Sequence, residues 1–446
     1  MHSFSTKIIN KYFIINFLFS SFIVSFILGN LFLNLNVLLL ILTSFFFFGR
    51  KIFDLKFDVF DKVLIFLFIY ILLNGILNTL LYNNNALDKD YSVFFKTIFF
   101  LRFLILFLVV KFLINENIIN FKIFFITSFI CVTFVCADII YQLIFGHDIF
   151  GFVATDRRLS GPFGEELIAG SFIQRFSLIS LFLFPIFFKF KKKNIRNITT
   201  IIFIFLFLIS LVFSGNRVPL LFFIITISLI TIFEKQLRKF FLFFIVGTVS
   251  IILLIINTNS GYHSHIISFA EKSVEIFLPF SSKNLVTSEI EKTKGYDQFY
   301  TIEFQGKRYL IQNSHLKEFK TGYLTWQYKK IIGGGIKSFK LNCSRAKLLN
   351  CANHPHNYHL EILASLGLIG FLIFFYLFYL IFTKIFLKKY FFKSSLNTFH
   401  LITPFIFLFF AEIFPIKSTG SFFSTGNATY IFLILSIIIS LKKKFG

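Results

Sequence analysis

The sequence predicts an all-α polytopic membrane protein with about twelve transmembrane helices and one large outer loop that carries a small mixed cap. Of its 446 residues, 56% are hydrophobic and 21% are aromatic, and the mean hydropathy is +0.80. A soluble protein of this length cannot bury so much apolar surface. Apolar stretches of about 17 to 25 residues, the length that crosses a bilayer as a helix, recur along nearly the whole chain.

Twelve apolar stretches qualify as membrane spans. They cover residues 12–29, 31–48, 63–82, 93–114, 123–145, 168–188, 198–214, 218–233, 240–257, 360–382, 398–414 and 427–441. The first stretch continues into the second across Gly29 and Asn30 without a small-residue cleavage pattern, so we expect it to be retained.

The distribution of lysine and arginine predicts the orientation of the spans, because short inner loops carry an excess of these residues. They accumulate on alternate connections and near both termini, which we expect to lie inside. The other short loops carry only Lys89, Arg157, Arg158, Arg217 and Lys417. This pattern divides the chain into residues 1–257 with spans one to nine, an outer loop at residues 258–359, and residues 360–446 with the last three spans.

The net charge of +24 would suit a nucleic-acid-binding protein, but most inner lysines are also explained by A+T-rich codon usage. We therefore expect no nucleic-acid partner. The outer loop is different, because positive charge there opposes the positive-inside rule. It contains twelve Lys and two Arg against six Glu and one Asp, a net charge of +7.

The outer loop has the sequence of a small folded cap. YDQFYTIEF and KRYLIQN are strand-like runs separated by Gln305 and Gly306, which predicts a hairpin, and HLKEFKTGYLTWQYKKII is amphipathic. Cys343 and Cys351 would form a disulfide in an exported, oxidising compartment. Glycines 333–335 could cradle a phosphate, but without P-loop spacing a flexible bend is the commoner explanation.

Ionisable residues inside spans usually mark a pathway or a site, because each is costly to insert into a bilayer. This chain has Lys96, Arg102, Asp138, Arg175 and Glu412, mostly in the outer half of their spans. The alternative is structural: Arg102 or Arg175 pairs with Asp138 or Glu412 to hold the bundle together. This alternative explains Arg102 best.

Two outer loops carry arginine beside glycine, in DRRLSGPFGEE with Arg158 and in SGNRVPLL with Arg217. Pro219 falls in the first turn of the eighth span, where the missing N–H costs no helical hydrogen bond. Arg217 should therefore stand at a helix N-terminus among free N–H groups, which is a ready anion site.

Three histidines crowd at the start of the tenth span, in CANHPHNYHLEILASLGLIG. His354, His356 and His359 could form a metal cluster, but no nearby cysteine or carboxylate has convincing ligand spacing, and we expect no metal or other cofactor. Asn357 is suited to cap the helix that follows, and glycines 367 and 370 are suited to close helix packing.

These residues resemble a known family. His356, Asn357, nine residues, then Gly367 and Gly370 resemble the H-[NSQ]-x9-G-x-x-G signature of O-antigen ligases and the related O-antigen polymerases. SGNRVPLL resembles the family's R-x3-L motif. The resemblance covers residues from about 130 to 430 and includes the layout of twelve spans with one large loop before the histidine helix.

The resemblance implies transfer of a glycan from undecaprenyl diphosphate to a hydroxyl of lipid A-core or of another glycan chain, at the periplasmic face of a bacterial inner membrane. It implies that Arg217 contacts the diphosphate. A base near the attacking hydroxyl and cations near the phosphates serve this chemistry. His356 is the expected base.

One feature departs from the family pattern. The ligases carry a second essential arginine shortly before a tryptophan of the large loop, whereas KTGYLT precedes Trp326. Lys320, Arg308 and Arg345 are the cations of this loop that could replace it. Arg158 and Asn357 are further candidates for substrate binding.

Two other functional classes compete with a transferase. A lipid-linked glycan flippase or another transporter also has about twelve spans, but it would show internal repeats and a midplane site, and the sequence contains no repeat. A purely structural protein would not need arginines and a histidine on one face. Ligase and polymerase cannot be separated, because they consume the same donor.

Overall fold

A computed structural model describes residues 2–83, 91–154, 158–188, 193–234, 246, 247, 250, 301–304, 307–311, 313–348, 351–392 and 401–445. Its first half is a run of helices: α1 His2–Leu28, α2 Asn30–Phe48, α3 Val59–Asn83, α4 Ser92–Phe100, α5 Arg102–Asn115, α6 Phe121–Phe145, α7 Ala169–Phe187, α8 Lys193–Phe213 and α9 Arg217–Phe233. Short 3-10 turns occupy Gly49–Phe53 and Gly161–Phe163.

The second half contains a two-stranded sheet and five further helices within the described residues. They are β1 Thr301–Phe304, β2 Lys307–Leu310, α10 Ser314–Tyr328, α11 Phe339–Arg345, α12 Tyr358–Ile381, α13 Thr403–Glu412 and α14 Thr425–Phe445. A π-helical turn, Phe382–Leu387, and a last turn, Lys388–Tyr390, extend α12.

The prediction of an all-α polytopic membrane protein is confirmed. Eight segments of the described chain are long and apolar enough to cross a membrane. They are Lys11–Leu28, Asn30–Ile52, Val59–Leu81, Ser92–Asn115, Phe121–Phe145, Ala169–Phe187, Tyr358–Tyr390 and Thr425–Lys442. Three more predicted spans coincide with shorter apolar helices, Ile198–Phe213, Arg217–Phe233 and Thr403–Glu412. The predicted span at 240–257 lies almost wholly outside the described residues, as does 258–300 of the predicted outer loop.

Phenylalanine rings fill the centre of the bundle around α14, which packs against α5, α2 and α13. The ring of Phe432 lies 5.2 Å from that of Phe68 and 6.0 Å from those of Phe100 and Phe103. Edge-to-face and offset aromatic pairs at these distances are favourable beyond their burial. Many of the phenylalanines in the sequence therefore pack in the core of the bundle.

Two of the five ionisable residues that the sequence places inside spans form an ion pair, and it is one of the pairs that the structural alternative allowed. Arg175 on α7 forms an ion pair with Glu412 on α13. Arg102, by contrast, donates to the Phe99 carbonyl oxygen and to Oγ1 of Thr425. The expectation that a structural ion pair explains Arg102 best was therefore wrong. Arg102 begins α5 next to α14, where a hydroxyl rather than a carboxylate is within reach.

Helix α12 is broken at Gly367, which has φ 66° and ψ −169°. The break frees backbone groups, and the glycine-rich segment after α10 satisfies them. The amides of Leu368 and Ile369 donate to the carbonyl oxygens of Lys330 and Ile331, at 2.9 and 3.3 Å. Irregular backbone at membrane depth requires such partners.

The glycine-rich segment is itself held in place by the same break. Gly334 and Gly335 donate to the carbonyl oxygens of Ala364 and Ser365, at 2.9 and 2.8 Å. A β-carbon on Gly367 would collide with the carbonyl of Ile331, so a side chain cannot be accommodated there. The described part of the predicted outer loop, residues 301–348 with their gaps, is called the outer segment below. Glycines 333–335 form a fixed junction between this segment and the bundle rather than a flexible bend.

The described outer segment contains the hairpin and amphipathic helix that the sequence predicts. Thr301 pairs with Leu310 and Phe304 with Lys307 in an antiparallel ladder. Helix α10 begins after the cap residue Asn313, whose side chain accepts from the amides of His315 and Leu316. Cys343 and Cys351 are joined by a disulfide, with their Cα atoms 5.7 Å apart.

Candidate active site at the start of helix α12

His356 lies in the turn that leads into α12 and has a left-handed backbone, with φ 51°. This conformation is uncommon for residues other than glycine, and strained backbone of this kind clusters at functional sites. The amide of Thr419 donates to the His356 carbonyl oxygen at 2.9 Å. The His356 side chain remains 35% exposed and is therefore accessible to a substrate.

Asn357 fixes the turn and begins the helix. Its Oδ1 accepts from the Leu360 amide at 3.1 Å, and its Nδ2 donates to the Pro415 carbonyl oxygen at 2.6 Å. An N-cap residue of this kind typically contributes about 1 kcal/mol. These contacts give Asn357 a structural role. They also anchor the turn on residues 413–419, which we call the α13–α14 loop.

The α13–α14 loop also contacts His359, whose Nε2 lies 2.8 Å from the Ile413 carbonyl oxygen. The His359 ring also lies 6.2 Å from the rings of Phe371 and Phe378, so it packs within the bundle. Among the described residues, no group of three His, Cys, Asp or Glu is arranged to hold a metal ion.

The carboxylate of Glu318 on α10 lies beside His356. Its Oε1 lies 3.7 Å from His356 Nε2, and its Oε2 lies 3.2 Å from Nδ1 of His315. Burial raises the pKa of Glu318, but the hydrogen bond with His315 and the charge of His356 outweigh it and bring the pKa below its ordinary value. Glu318 is thus a carboxylate facing the candidate base.

Close packing of α10 on the histidine turn explains this contact. A β-carbon on Gly322 would lie 2.8 Å from Cβ of Pro355, so only glycine allows the helix to approach so closely. Glu318 is one turn before Gly322 and shares its face of the helix. Glu318 was not among the site residues predicted from the sequence. The one sequence feature that pointed to it is its E-x3-G spacing with Gly322, on a predicted helix that precedes H-P-H.

His354 stacks on His356, with ring centroids 4.2 Å apart. Burial, together with the charge of His356, lowers the pKa of His354 to about 4. Its Nε2 is buried and has no hydrogen-bond partner among the residues that the structure describes. A neutral His354 therefore supports the ring of His356 and presents an unsatisfied nitrogen.

Arg217 is the first residue of α9, follows the N-cap Asn216 and is half-buried. Asn216 does not cap its own helix, because its side chain accepts from the Gly170 amide at 2.9 Å and donates to the Leu167 carbonyl oxygen at 3.0 Å. The free N–H groups of the first turn are thus left without a side-chain cap at the position of Arg217, as expected for an anion site.

The α13–α14 loop links helix α9 to the histidine turn. The ring of Phe222, in the second turn of α9, lies 5.3 Å from the ring of Phe414. Lys417 Nζ lies 5.5 Å from the Phe222 ring. The same loop bonds His356 and Asn357 through its backbone. Arg217 and His356 are therefore on elements that flank one short loop.

A buried charge cluster supports this loop from below. Glu412 accepts from Lys417 at 2.8 Å and from the Tyr358 hydroxyl at 2.7 Å, and it pairs with Arg175. The side chains of Glu412 and Lys417 are 1% and 6% exposed. Asn427 accepts from Arg175 at 2.6 Å. Two cations thus share one carboxylate beneath the histidine turn.

The remaining predicted site residues lie at several places. Arg158 is exposed before α7, and Arg308 is exposed on β2. Lys320 lies on α10 with Nζ 5.9 Å from the Tyr323 ring centroid. Arg345 ends α11 and lines a small cavity with Lys329, whose pKa is lowered by burial and by Arg345.

Comparison with known families tests the resemblance. Residues 202–375 match the family model described as O-antigen ligase. This segment is therefore similar to the O-antigen ligases. The matched segment includes Arg217, the described outer segment, His356 and the first part of α12 with its break at Gly367. Neither the curated proteins nor the solved structures contain a significant match.

The match agrees with the family that the histidine and arginine motifs indicated. Family members are glycosyltransferase-like enzymes of lipopolysaccharide biosynthesis that act in a membrane. The eight long apolar helices agree with a multi-pass membrane protein. The matched segment ends inside α12, shortly after the glycines 367 and 370 that join the outer segment to the bundle.

Proposed function

We propose that this protein transfers a glycan from undecaprenyl diphosphate to a hydroxyl of lipid A-core. The observation that carries the proposal is His356, held in a left-handed turn beside Glu318 within the family-matched segment. A histidine facing a carboxylate is the arrangement of a general base. O-antigen or exopolysaccharide polymerisation by the same residues is the alternative, and a flippase is a weaker one.

The proposed reaction is a displacement at the anomeric carbon of the donor. The acceptor oxygen forms the new glycosidic bond while the bond from the anomeric carbon to the phosphate oxygen breaks. His356 takes the hydroxyl proton. The bonding electrons leave with undecaprenyl diphosphate. The donor is already activated, so the reaction needs no nucleotide.

Arg217 has the role of stabilising the leaving diphosphate. Its guanidinium forms two parallel charge-assisted hydrogen bonds to phosphate oxygens, and the uncapped first turn of α9 adds N–H donors. A second cation from the outer loop would come from among Lys320, Arg308 and Arg345. Arg158 and Asn357 remain further candidates, although Asn357 already has structural partners.

The proposed topology follows from the lysine distribution. Residues 1–257 and 360–446 form the membrane domain, and residues 258–359 form the periplasmic loop of a protein in the bacterial inner membrane. The donor diphosphate lies at the membrane surface, so a site at the loop–bundle junction suits both a lipid-linked donor and a lipid-anchored acceptor. The partners are then the bilayer, the donor and the acceptor.

Genetic complementation tests the proposal. A deletion strain should accumulate full glycan chains on undecaprenyl diphosphate if the protein is a ligase, or carry a single repeat on lipid core if it is a polymerase. His356→Ala and Arg217→Ala should each fail to restore surface glycan at normal expression. His354→Ala and His359→Ala serve as comparisons. Normal glycan in the His356→Ala strain would exclude the proposed base.

The comparison variants also test a metal mechanism. If His356 alone is the base, His359→Ala should retain transfer, and His354→Ala should retain more of it than His356→Ala, because His354 only packs against the base. Equal loss in all three histidine variants, with inhibition of the wild-type enzyme by chelators, would instead favour a metal cluster.

A further inference from the structure

An open cleft of about 670 Å³ lies beside the histidine turn. Its walls come from α4, from the start of α11 and the residues before it, and from the segment that precedes α14. Lys96, Lys337, Lys340, His354, Glu361 and Ser421 are among the residues that line it. The volume is within the range of small-molecule sites.

The ionisable side chains of the cleft give it an excess of positive charge. Three lysines line it against the single carboxylate of Glu361. Within the described chain, none of the three is within ion-pair distance of a carboxylate. Burial and the nearby charges of Arg102 and Lys96 lower the pKa of Lys337, and the charge of Glu361 opposes this only in part. An anion bound here would relieve this repulsion.

Glu361 can offset only one of the three lysine charges, and its oxygens accept hydrogen bonds from other groups. Oε1 accepts from the Ser421 hydroxyl at 2.6 Å, and Oε2 accepts from the Phe422 amide at 2.5 Å. Glu361 is 2% exposed and fixes the segment before α14. The floor of the cleft is therefore polar and hydroxyl-lined, whereas the lysines lie on its exposed walls.

The cleft leads to the candidate base. His354 lines it, and within the described part of the chain its buried Nε2 has no hydrogen-bond partner. The His354 ring stacks on His356 at 4.2 Å. A ligand that lies in the cleft can thus bring a hydroxyl group close to the histidine pair.

The cleft and Arg217 lie on different parts of the bundle. Helix α9, which begins at Arg217, packs against α7, α8 and α13. The cleft walls come instead from α4, which packs against α3 and α5, and from α11, which packs against α10 and α12. If Arg217 binds the donor diphosphate, the cleft is available to the other substrate.

We propose that this cleft binds the acceptor glycan and that Lys96, Lys337 and Lys340 recognise an acidic substituent on it, a phosphate or a carboxylate. This inference rests on the proposed function. The acidic group lies at the lysine walls, and neutral sugar hydroxyls lie over the floor near Ser421 and His354. The acceptor class is therefore an anionic glycan.

Steady-state kinetics with two matched acceptors test this assignment. The full-length protein is reconstituted in nanodiscs with its lipid-linked donor. The acceptors are lipid A-core isolated from the host and the same material after removal of phosphates and reduction of carboxylates. The Lys337→Ala/Lys340→Ala variant should raise the KM for the native acceptor about tenfold or more, because it removes two charge-assisted contacts.

The specificity of the effect decides the outcome. The KM for the neutral acceptor and for the donor should change by less than about twofold. Lys307→Ala, which removes an exposed lysine on β2, should leave all three constants unchanged, and Lys337→Arg/Lys340→Arg should retain most of the affinity. An equal rise for both acceptors, a rise in the donor KM, or no rise would overturn the assignment.

A binding measurement separates this inference from the proposed function. If wild-type protein transfers no glycan to either acceptor, the proposed function fails. Thermophoresis of the native acceptor then reports on the cleft alone. Weaker binding by the double alanine variant, restored by the double arginine variant, would still support an anionic ligand, and unchanged binding would overturn it.

Discussion

Nε2 of His356 lies 3.7 Å from Oε1 of Glu318, across the junction between the outer segment and the membrane bundle. This distance exceeds that of a hydrogen bond, so the carboxylate acts on the imidazole mainly through its charge. It favours the tautomer that carries the proton on Nε2 and leaves Nδ1 to accept one. A histidine arranged in this way can deprotonate a hydroxyl.

The first prediction concerns Glu318. Glu318→Gln should lower kcat but leave the donor KM nearly unchanged, because it removes a charge that stabilises protonated His356 and leaves the diphosphate contacts intact. The loss should be smaller than the loss of about 10²- to 10⁴-fold expected for His356→Ala. Single-turnover measurements on purified protein would test both.

The matched control for Glu318 is His315→Ala. His315 contacts the other carboxylate oxygen, and its side chain is 51% exposed. Its loss should therefore change kcat little. If both substitutions reduce kcat equally, or if Glu318→Gln has no effect, Glu318 has no positioning role.

The second prediction concerns the chemistry of Arg217. Arg217→Lys should recover only part of the activity lost in Arg217→Ala, because lysine keeps the charge but cannot bind two phosphate oxygens with a planar fork. Both kcat and the donor KM should suffer, since the diphosphate is present in the ground state and gains charge in the transition state. Wild-type kinetics for the lysine variant would argue for a nonspecific electrostatic role.

Much of the fold could be predicted from sequence, because hydropathy alone identifies helices that must satisfy their own backbone in a bilayer. The strand pair around Gln305 and Gly306 was also predictable from local turn chemistry. The fourth predicted span is interrupted at Leu101, between α4 and α5. Its hydropathy gives no sign of this interruption.

The tertiary contacts of the site were not predictable in the same way. Glu318 approaches His356 only because Gly322 packs on Pro355, and the pairing of Arg175 rather than Arg102 with Glu412 depends on which helices are neighbours. Such choices depend on packing between segments far apart in sequence. The lysine-lined cleft likewise combines residues from four separate parts of the chain.

The third prediction concerns the junction glycine of the family signature. Gly367→Ala should destabilise the protein by about 1 to 3 kcal/mol or more, because alanine at φ 66° is strained and its β-carbon meets the Ile331 carbonyl. Gly426→Ala is the control, since a β-carbon there has no atom closer than 3.8 Å. Thermal unfolding in detergent would measure both, and equal stability of the two variants would contradict the proposed constraint.

The fourth prediction concerns the buried charge cluster. Glu412→Gln would leave Arg175 and Lys417 without their shared carboxylate, and breaking a buried pair in this way costs about 3 to 5 kcal/mol. The midpoint of thermal unfolding should therefore fall clearly. Glu166→Gln, at an exposed carboxylate, should have almost no effect.

A second substitution distinguishes lost charge balance from lost packing. Adding Lys417→Met to Glu412→Gln removes one of the two uncompensated cations, so it should recover part of the stability. If the double variant is as unstable as the sum of the single variants, electrostatic coupling within the cluster is not the cause.

The last prediction concerns acid stability and follows from His354. Burial and the charge of His356 lower its pKa from the ordinary 6.5 to about 4, and nearby Glu318 opposes this shift only in part. Between these two values the unfolded chain binds a proton that the folded protein does not. Folding stability contributed by neutral His354 is therefore present above about pH 6.5 and is lost as the pH falls toward 4.

His354→Gln cannot take up this proton, so its midpoint of thermal unfolding should fall less than that of wild type between pH 6.5 and pH 5. This interval stays above the ordinary carboxylate range, so the lowered pKa of Glu318 does not contribute to the difference. Parallel curves for the two proteins over this interval would mean that His354 is not held neutral by burial.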